Sequence, residues 1–149
     1  MDYSRPERLV INHDNYYAKY VGFTEDGRQF FLTTPFIPPH KNNLGGEYLA
    51  LYLFSASGKL LEAKIDALGP RKLVDKSKAS QIKQARLDEL GKITFGPIEI
   101  EPFCVKKWEI EFGLIAEEPS KEIDYWLINV MPGNYMTFYE PWDSGNYDT

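Results

Sequence analysis

Hydrophobic residues run without interruption from Tyr48 to Phe54, near the middle of the chain. Side chains of a β-strand alternate between two faces, so this run would be apolar on both of them. One face carries three leucines and the other carries mainly aromatic residues: Leu49, Leu51 and Leu53, against Tyr48, Ala50, Tyr52 and Phe54. A strand that is apolar on both faces needs cover on both, so the pattern predicts a central strand of a sheet.

The next run differs, because apolar and charged residues alternate along it. The apolar positions are Leu61, Ala63 and Ile65, and the charged positions are Glu62, Lys64 and Asp66. This alternation is typical of a half-buried strand with one wet face. A short turn at residues 55–58 separates the two runs, and Gly58 can adopt a positive φ there. The stretch Glu47–Asp66 therefore predicts a β-hairpin around which the rest of the chain is organised.

Two other segments have clear patterns. Residues 16–33 predict a second hairpin, with Asp26-Gly27 as a strong turn signal. Val74–Leu90 has helical periodicity, with Asp75 or Ser77 available as the N-cap and a glycine directly after the segment. After this helix the chain returns to short strands that glycines and prolines interrupt.

These elements predict one α+β domain over residues 1–149. We expect a curved, mainly antiparallel sheet of about seven to nine strands, with the single helix at about residues 74–90 packed on one face. Residues 1–14 hold one short apolar triplet among polar residues and a proline, and they predict a flexible arm with at most an edge strand.

Composition favours an ordinary globular protein. Hydrophobic residues make up 43% of the chain and charged residues 26%, and no apolar run is long enough to span a bilayer. The amino terminus lacks the basic-then-apolar order of a signal peptide, so we expect cytoplasmic localisation and no membrane partner. The lone Cys104 lies in an apolar run and is predicted to be a small core residue.

The net charge of −5 is unevenly distributed along the chain. Residues 1–96 carry 14 Lys and Arg against 11 Asp and Glu, whereas residues 97–149 carry 3 against 11. A strongly acidic last third can attract a cationic partner through its long-range field, although a solvated acidic surface that keeps the protein in solution has the same composition.

Most catalytic and cofactor signatures are absent from the sequence. The two histidines, His13 and His40, lie in no metal-ligand spacing, and no phosphate-binding loop or nucleophile elbow occurs, so no metal or cofactor is expected. Glutamates are paired at positions 99 and 101 and at positions 109 and 111, as the chemistry of a glycoside hydrolase would require. Such pairs are also common on surface strands, so they do not indicate an active site. The basic segment Arg71–Lys92 contains no aromatic residue for base stacking, so nucleic acid is an unlikely partner.

The loop Thr34–Gly46 is long and rich in proline, asparagine and glycine. Loops of this length in compact domains are often functional, although Phe36 and Ile37 can also pin this one to the core. A pocket under the loop, containing Phe36 and His40, would suit a small-molecule-binding protein or a hydrolase that uses His40 with nearby carboxylates.

The end of the chain combines large aromatic side chains with carboxylates. This composition favours a protein-binding surface, because rigid aromatic side chains anchor interfaces. The candidate partner-binding residues are Tyr139, Glu140, Trp142, Asp143, Tyr147 and Asp148. The alternative is that the segment closes the core, and we expect this role for Trp142 in particular.

Four stretches resemble a family of small bacterial proteins, some of which are labelled formate hydrogenlyase regulatory protein HycA. The stretches are DGRQFFLTTPF, EYLALYLFSASGKLLEAKIDALGPR, EFGLI and PGNYMTFYEPWDSGNYDT. The resemblance covers nearly the whole chain and implies a bacterial cytosolic protein with a regulatory role, but it carries over no site residues.

Together these patterns predict a non-enzymatic bacterial binding protein, either a regulator or an immunity-type inhibitor. It would act through its acidic, aromatic C-terminal surface on a protein partner, and the charge favours a cationic one. The alternative function is the small-molecule-binding protein or hydrolase with its pocket under residues 34–46.

Overall fold

A computed structural model describes residues 4–142 and the backbone of residues 145–147. Antiparallel strands build most of this part of the chain, together with one α-helix and a single 3-10 turn at Arg71–Leu73. In chain order the elements are β1 (Leu9–Ile11), β2 (Tyr20–Thr24), β3 (Gln29–Thr33), β4 (Phe36–Ile37), β5 (Gly46–Phe54), β6 (Leu60–Gly69), α1 (Lys76–Glu89), β7 (Ile93–Phe95), β8 (Ile98–Ile100), β9 (Phe103–Lys107), β10 (Ile110–Glu117), β11 (Leu127–Met131), β12 (Met136–Phe138) and β13 (Gly145–Tyr147). The α+β class and the mainly antiparallel pairing are confirmed.

The strands form three sheets, so the prediction of one curved sheet of seven to nine strands is wrong. A six-stranded sheet contains β2–β7, a five-stranded sheet contains β9–β13, and β1 pairs with β8 alone. The physical reason lies in Pro97 and Pro102, which separate β7, β8 and β9. Proline offers no N–H to a ladder, and each of these three strands joins a different sheet.

The predicted central strand is confirmed as β5, with β3 and β4 on one side and β6 on the other. Its leucine face lies in a cluster with Phe30 and Leu32 that α1 covers. Its aromatic face packs in the main core against buried residues of the five-stranded sheet and of β1 and β8. The six-stranded sheet is therefore the middle layer, between the helix and the other two sheets.

The hairpin of β5 and β6 is confirmed, and Gly58 in its turn has a φ of +93°. The apolar face of β6 is shorter than predicted, because Leu61 is 56% exposed. Leu53 pairs with Glu62 and Phe54 pairs with Leu60, so Leu61 is the extra residue of a β-bulge. The bulge displaces Leu61 from the alternation that the sequence suggested.

The charged face of β6 lies beneath α1. Arg86 of the helix donates two hydrogen bonds of 2.9 Å to the carboxylate of Asp66, and Lys64 donates to Glu89. The hydrogen bond from Lys64 is the largest contribution that lowers the pKa of Glu89. The face that was predicted to be wet therefore attaches the helix to the sheet through charge-assisted hydrogen bonds.

The helix begins two residues later than predicted and ends one residue earlier. Asp75 is its N-cap, and its side chain accepts a hydrogen bond from the backbone N–H of Lys78. Gly91 follows the C-cap with a φ of +74°. Val74 has an extended conformation and lies outside the helix. The position of the helix on one face of the sheet is confirmed.

The amino-terminal stretch 1–14 contains a core strand in the region that was predicted to be an arm. Leu9 is 1% exposed and Ile11 is fully buried, and both lie on β1 paired with β8. Burial of these two side chains holds residues 9–11 in place, and the short edge strand that the prediction allowed is present as β1. In residues 4–142, no helix has the length and apolar character required to cross a membrane.

Candidate interaction surface

Two segments meet at one end of the five-stranded sheet and form the candidate site. Residues 118–126 connect β10 to β11, and residues 139–142 follow β12. Because β11 and β12 are antiparallel neighbours, with Ile128 opposite Phe138, the start of β11 and the end of β12 lie at the same end of the sheet. The rings of Tyr125 and Tyr139 lie 6.1 Å apart between their centroids. We call residues 117–126 together with 139–142 the acidic aromatic surface.

The charge of the acidic aromatic surface is strongly one-sided. Its carboxylates are Glu117, Glu118, Glu122, Asp124 and Glu140, and its only basic residue is Lys121. All six of these residues are exposed. Between these charged residues along the chain, Ile123 is 38% exposed, and Tyr125, which follows Asp124, is 44% exposed. The surface therefore offers both a negative field and apolar contact area.

Tyr139 and Glu140, two of the predicted partner-binding residues, belong to this surface. Tyr139 is half-buried beside Tyr125, whereas Glu140 is exposed. The sequence prediction placed the surface in the last residues of the chain and missed residues 118–126. The signal was present in the acidic run from Glu117 to Asp124, which holds Ile123 and precedes Tyr125.

Trp142 is attached to the core from the edge of this surface. Its side chain is half-buried and packs against the main core cluster. Its backbone N–H donates to the carbonyl of Tyr139, and its own carbonyl accepts a hydrogen bond of 2.7 Å from the N–H of Val10. These contacts agree with the core role that we expected for this residue.

The other predicted residues of the C-terminal surface are only partly covered by the structure. Asp143 and Asp148 lie outside the described residues. Tyr147 is described by its backbone alone, which pairs with Met136 at the end of β13. The acidic aromatic surface is therefore defined here without these three side chains.

The outer face of the five-stranded sheet continues the acidic character. A cavity of about 200 Å³ on this face is lined by Glu111, Ile115, Glu117, Asn129 and Met131. Asn129 is 5% exposed, and its amide donates a hydrogen bond to the Glu117 carboxylate. Glu117 thus belongs both to this face and to the acidic aromatic surface.

Phe36 and His40, the two residues predicted to line a pocket under the loop 34–46, lie apart from the cavity at the start of this loop in the described part of the chain. Phe36 packs against the core, with its ring 5.9 Å from that of Tyr135 and 5.1 Å from the guanidinium carbon of Arg71. His40 is exposed, and its backbone exchanges two hydrogen bonds with Asn43. The cavity at the start of the loop is lined by Thr34 from this loop and includes neither Phe36 nor His40.

Cys104 is exposed, so its predicted core position is wrong. The alternation of β9 directs Phe103 and Val105 toward the core and Cys104 outward. Its thiol donates a hydrogen bond of 3.3 Å to Glu111, and partial burial together with that carboxylate raises its pKa. A raised pKa keeps the thiol protonated near neutral pH, which does not suit a nucleophile.

Across the described residues, no group of three or more His, Cys, Asp or Glu side chains is placed to hold a metal ion. Comparisons with protein-family models, with curated proteins and with solved structures gave no match to this chain.

Proposed function

We propose that this chain is a non-catalytic binding protein that receives a cationic protein partner on its acidic aromatic surface. The observation that supports the proposal is the contact between Tyr125 and Tyr139 within a surface of five carboxylates and one lysine. A regulator or an immunity-type inhibitor whose target is cationic can use such a surface, because the carboxylates attract the target and the rings provide contact area.

Charge and aromatic contact have different roles in this proposal. The carboxylates raise the association rate by attracting a positive partner over several ångströms, and this attraction weakens as salt screens it. The rings of Tyr125 and Tyr139 provide rigid contact area, which determines how long the complex lasts.

The test is affinity capture with charge-reversed protein. A variant carrying Glu122→Lys, Asp124→Lys and Glu140→Lys should lose a cationic protein that the wild type captures from bacterial lysate at low salt. Mass spectrometry identifies the captured protein, and stopped-flow mixing with that purified protein then measures the association rate. The rate should fall steeply with ionic strength for the wild type and little for the variant.

A matched control reverses three exposed carboxylates away from this surface, by Glu7→Lys, Glu25→Lys and Glu109→Lys. This control has the same net charge as the first variant, so it separates a local surface from the overall charge. Capture of the same proteins by wild type and by the first variant, or equal loss in both variants, would rule the proposal out.

The alternative function, a small-molecule-binding protein or hydrolase with a pocket at residues 34–46, has weaker support. His40 is exposed, and it is not among the residues that line the cavity at the start of this loop, whereas ligand sites are usually concave. Hydrolase activity that His40→Ala abolished would favour this alternative over the binding protein.

A further inference from the structure

The helix α1 covers the six-stranded sheet unevenly along its length. Ile82, Leu87 and Leu90 pack against the leucine cluster of β3 and β5. Arg86 and Glu89 attach the same part of the helix to β6. The first part of the helix instead stands beside a cavity of about 230 Å³. The cavity is an open groove between the helix and the ends of β5 and β6.

The groove has an apolar floor and a cationic, hydroxyl-bearing rim. The floor residues are Leu49, Leu68, Val74 and Ala79, and the rim residues are Thr34, Lys76, Ser80 and Lys83. The helix contributes positions 76, 79, 80 and 83, which share one face because they are spaced by three and four residues. These four positions line the groove.

The two lysines of the rim have no carboxylate partner in the described part of the chain. The ion pairs found there use Arg71 and Arg86 from the same basic segment, but neither Lys76 nor Lys83. The ammonium of Lys83 lies 5.2 Å from the ring centroid of Tyr20, a contact that brings no negatively charged group to it. Two positive charges therefore border a floor of apolar side chains.

We propose that this groove binds a small amphipathic anion, a carboxylate with a short apolar chain or ring. The apolar part would cover the floor at Leu49 and Leu68, and the carboxylate would accept hydrogen bonds from Lys76, Lys83 and the Ser80 hydroxyl. The volume lies just below the usual range for drug-sized ligands, so the ligand is a small one. This site is separate from the acidic aromatic surface and does not depend on the function proposed for that surface.

Hexanoate is the probe, and its binding is followed by amide chemical shifts in a titration. Resonances of Leu49, Leu68 and Ala79 should move with a common saturation curve. Hexan-1-ol has the same chain without the charge and should bind at least about tenfold more weakly. Acetate retains the charge but loses four methylenes, each of which contributes about fourfold in affinity.

The variant Lys76→Gln with Lys83→Gln should weaken hexanoate binding about tenfold or more. The matched control is Lys72→Gln with Lys92→Gln, which removes two exposed lysines outside the groove and should leave binding unchanged. Ala79→Leu fills the groove without changing charge and should abolish binding while the melting temperature is retained. This second route keeps the proposal testable if the double lysine variant fails to fold.

Three results would overturn the site. Hexanoate could cause no saturable shifts up to about 10 mM, tenfold above a millimolar Kd. Hexan-1-ol could bind as tightly as hexanoate, or the shifts could map away from the groove. The variant with Glu122→Lys, Asp124→Lys and Glu140→Lys should bind hexanoate like the wild type. Failure of either proposal can therefore be distinguished from failure of the other.

Discussion

The ammonium of Lys107 donates a hydrogen bond of 3.2 Å to the backbone carbonyl of Ile65. Lys107 ends β9, the edge strand of the five-stranded sheet, and Ile65 lies in β6, which among the described strands pairs only with β5. The same ammonium lies 4.5 Å from the ring centroid of Trp108. One lysine thus joins the edges of two sheets and occupies a carbonyl that another strand could otherwise use.

Replacement of this lysine should weaken the junction and expose the edge of β6. Lys107→Met keeps most of the aliphatic stem but cannot donate, so we expect a loss of about 0.5–1.5 kcal/mol in the free energy of unfolding. The freed edge should also increase self-association, which light scattering measures beside a urea melt. Lys106→Met is the control, because Lys106 is exposed on the same strand. Equal effects of the two substitutions would contradict the proposed role.

Two buried tyrosines should respond oppositely to loss of the hydroxyl. Tyr135 is 2% exposed, and its hydroxyl lies 2.7 Å from Thr33 Oγ1. Tyr52 is 1% exposed, and among the described residues its hydroxyl has no hydrogen-bond partner. Burial raises the pKa of both groups, so both are protonated near neutral pH.

We therefore expect Tyr135→Phe to cost about 1–2 kcal/mol, since it leaves Thr33 without its partner. Tyr52→Phe should leave stability unchanged or increase it, because it removes a buried polar group that nothing compensates. Chemical denaturation of both variants measures the difference. A larger loss for Tyr52→Phe than for Tyr135→Phe would mean that the Tyr52 hydroxyl has a partner.

Acid stability should depend on Asp26 in the turn of the second hairpin. The Thr24 hydroxyl and then the Arg28 side chain donate hydrogen bonds to its carboxylate, and they lower its pKa from 3.8 to about 2. Because the folded-state pKa lies below the unfolded value of 3.8, the contribution of Asp26 to stability is complete only above about pH 5 and is lost progressively as the pH falls through the folded-state pKa of about 2. Asp26→Asn should thus be less stable than wild type above about pH 5, with the difference shrinking toward about pH 2. Parallel urea melts over this range measure it, and a difference that stayed constant with pH would contradict the assignment.

The two roles considered for Trp142 predict different melting behaviour. Its side chain packs against the core, and its backbone carbonyl accepts a hydrogen bond from Val10 of β1. Trp142→Ala should therefore lower the free energy of unfolding by about 3 kcal/mol, at the low end for buried aromatic residues. Glu140→Ala removes an exposed neighbour and should change stability by less than about 0.5 kcal/mol. Thermal melts of the two variants distinguish the core role from the interface role. An unchanged melting midpoint for Trp142→Ala would favour the interface role for this side chain.

Local patterns in the sequence predicted the elements well where burial has a simple period. The strand β5 was recognisable because both of its faces are covered, and α1 because Asp75 and the glycine after it mark its ends. These signals are local and depend only on neighbouring residues. They can therefore be read from the sequence without knowledge of the tertiary structure.

The assignment of strands to sheets was not predictable in the same way. A triplet such as Leu9–Ile11 reads alike whether it is a mobile edge or a core strand, because its burial depends on Ile98 and Ile100 far along the chain. The bulge at Leu61 likewise depends on tertiary pairing, because its neighbours Leu60 and Glu62 pair with Phe54 and Leu53 of β5. The candidate surface was found in part, because Tyr139 and Glu140 are close in sequence whereas Tyr125 reaches them only through the fold.

The pairing of β1 with β8 has a consequence for synthesis of the protein. Arg8 precedes β1 and donates a hydrogen bond to Glu99 of β8, and the two residues are 91 positions apart. The strand β1 therefore leaves the ribosome well before its partner β8 has been synthesised. Closing so long a loop costs conformational entropy before any contact compensates for it, so the hairpin of β5 and β6 can form well before β1 is docked. Leu9 and Ile11 remain exposed during that interval, and this is the period in which the nascent chain is most open to chaperones and to aggregation.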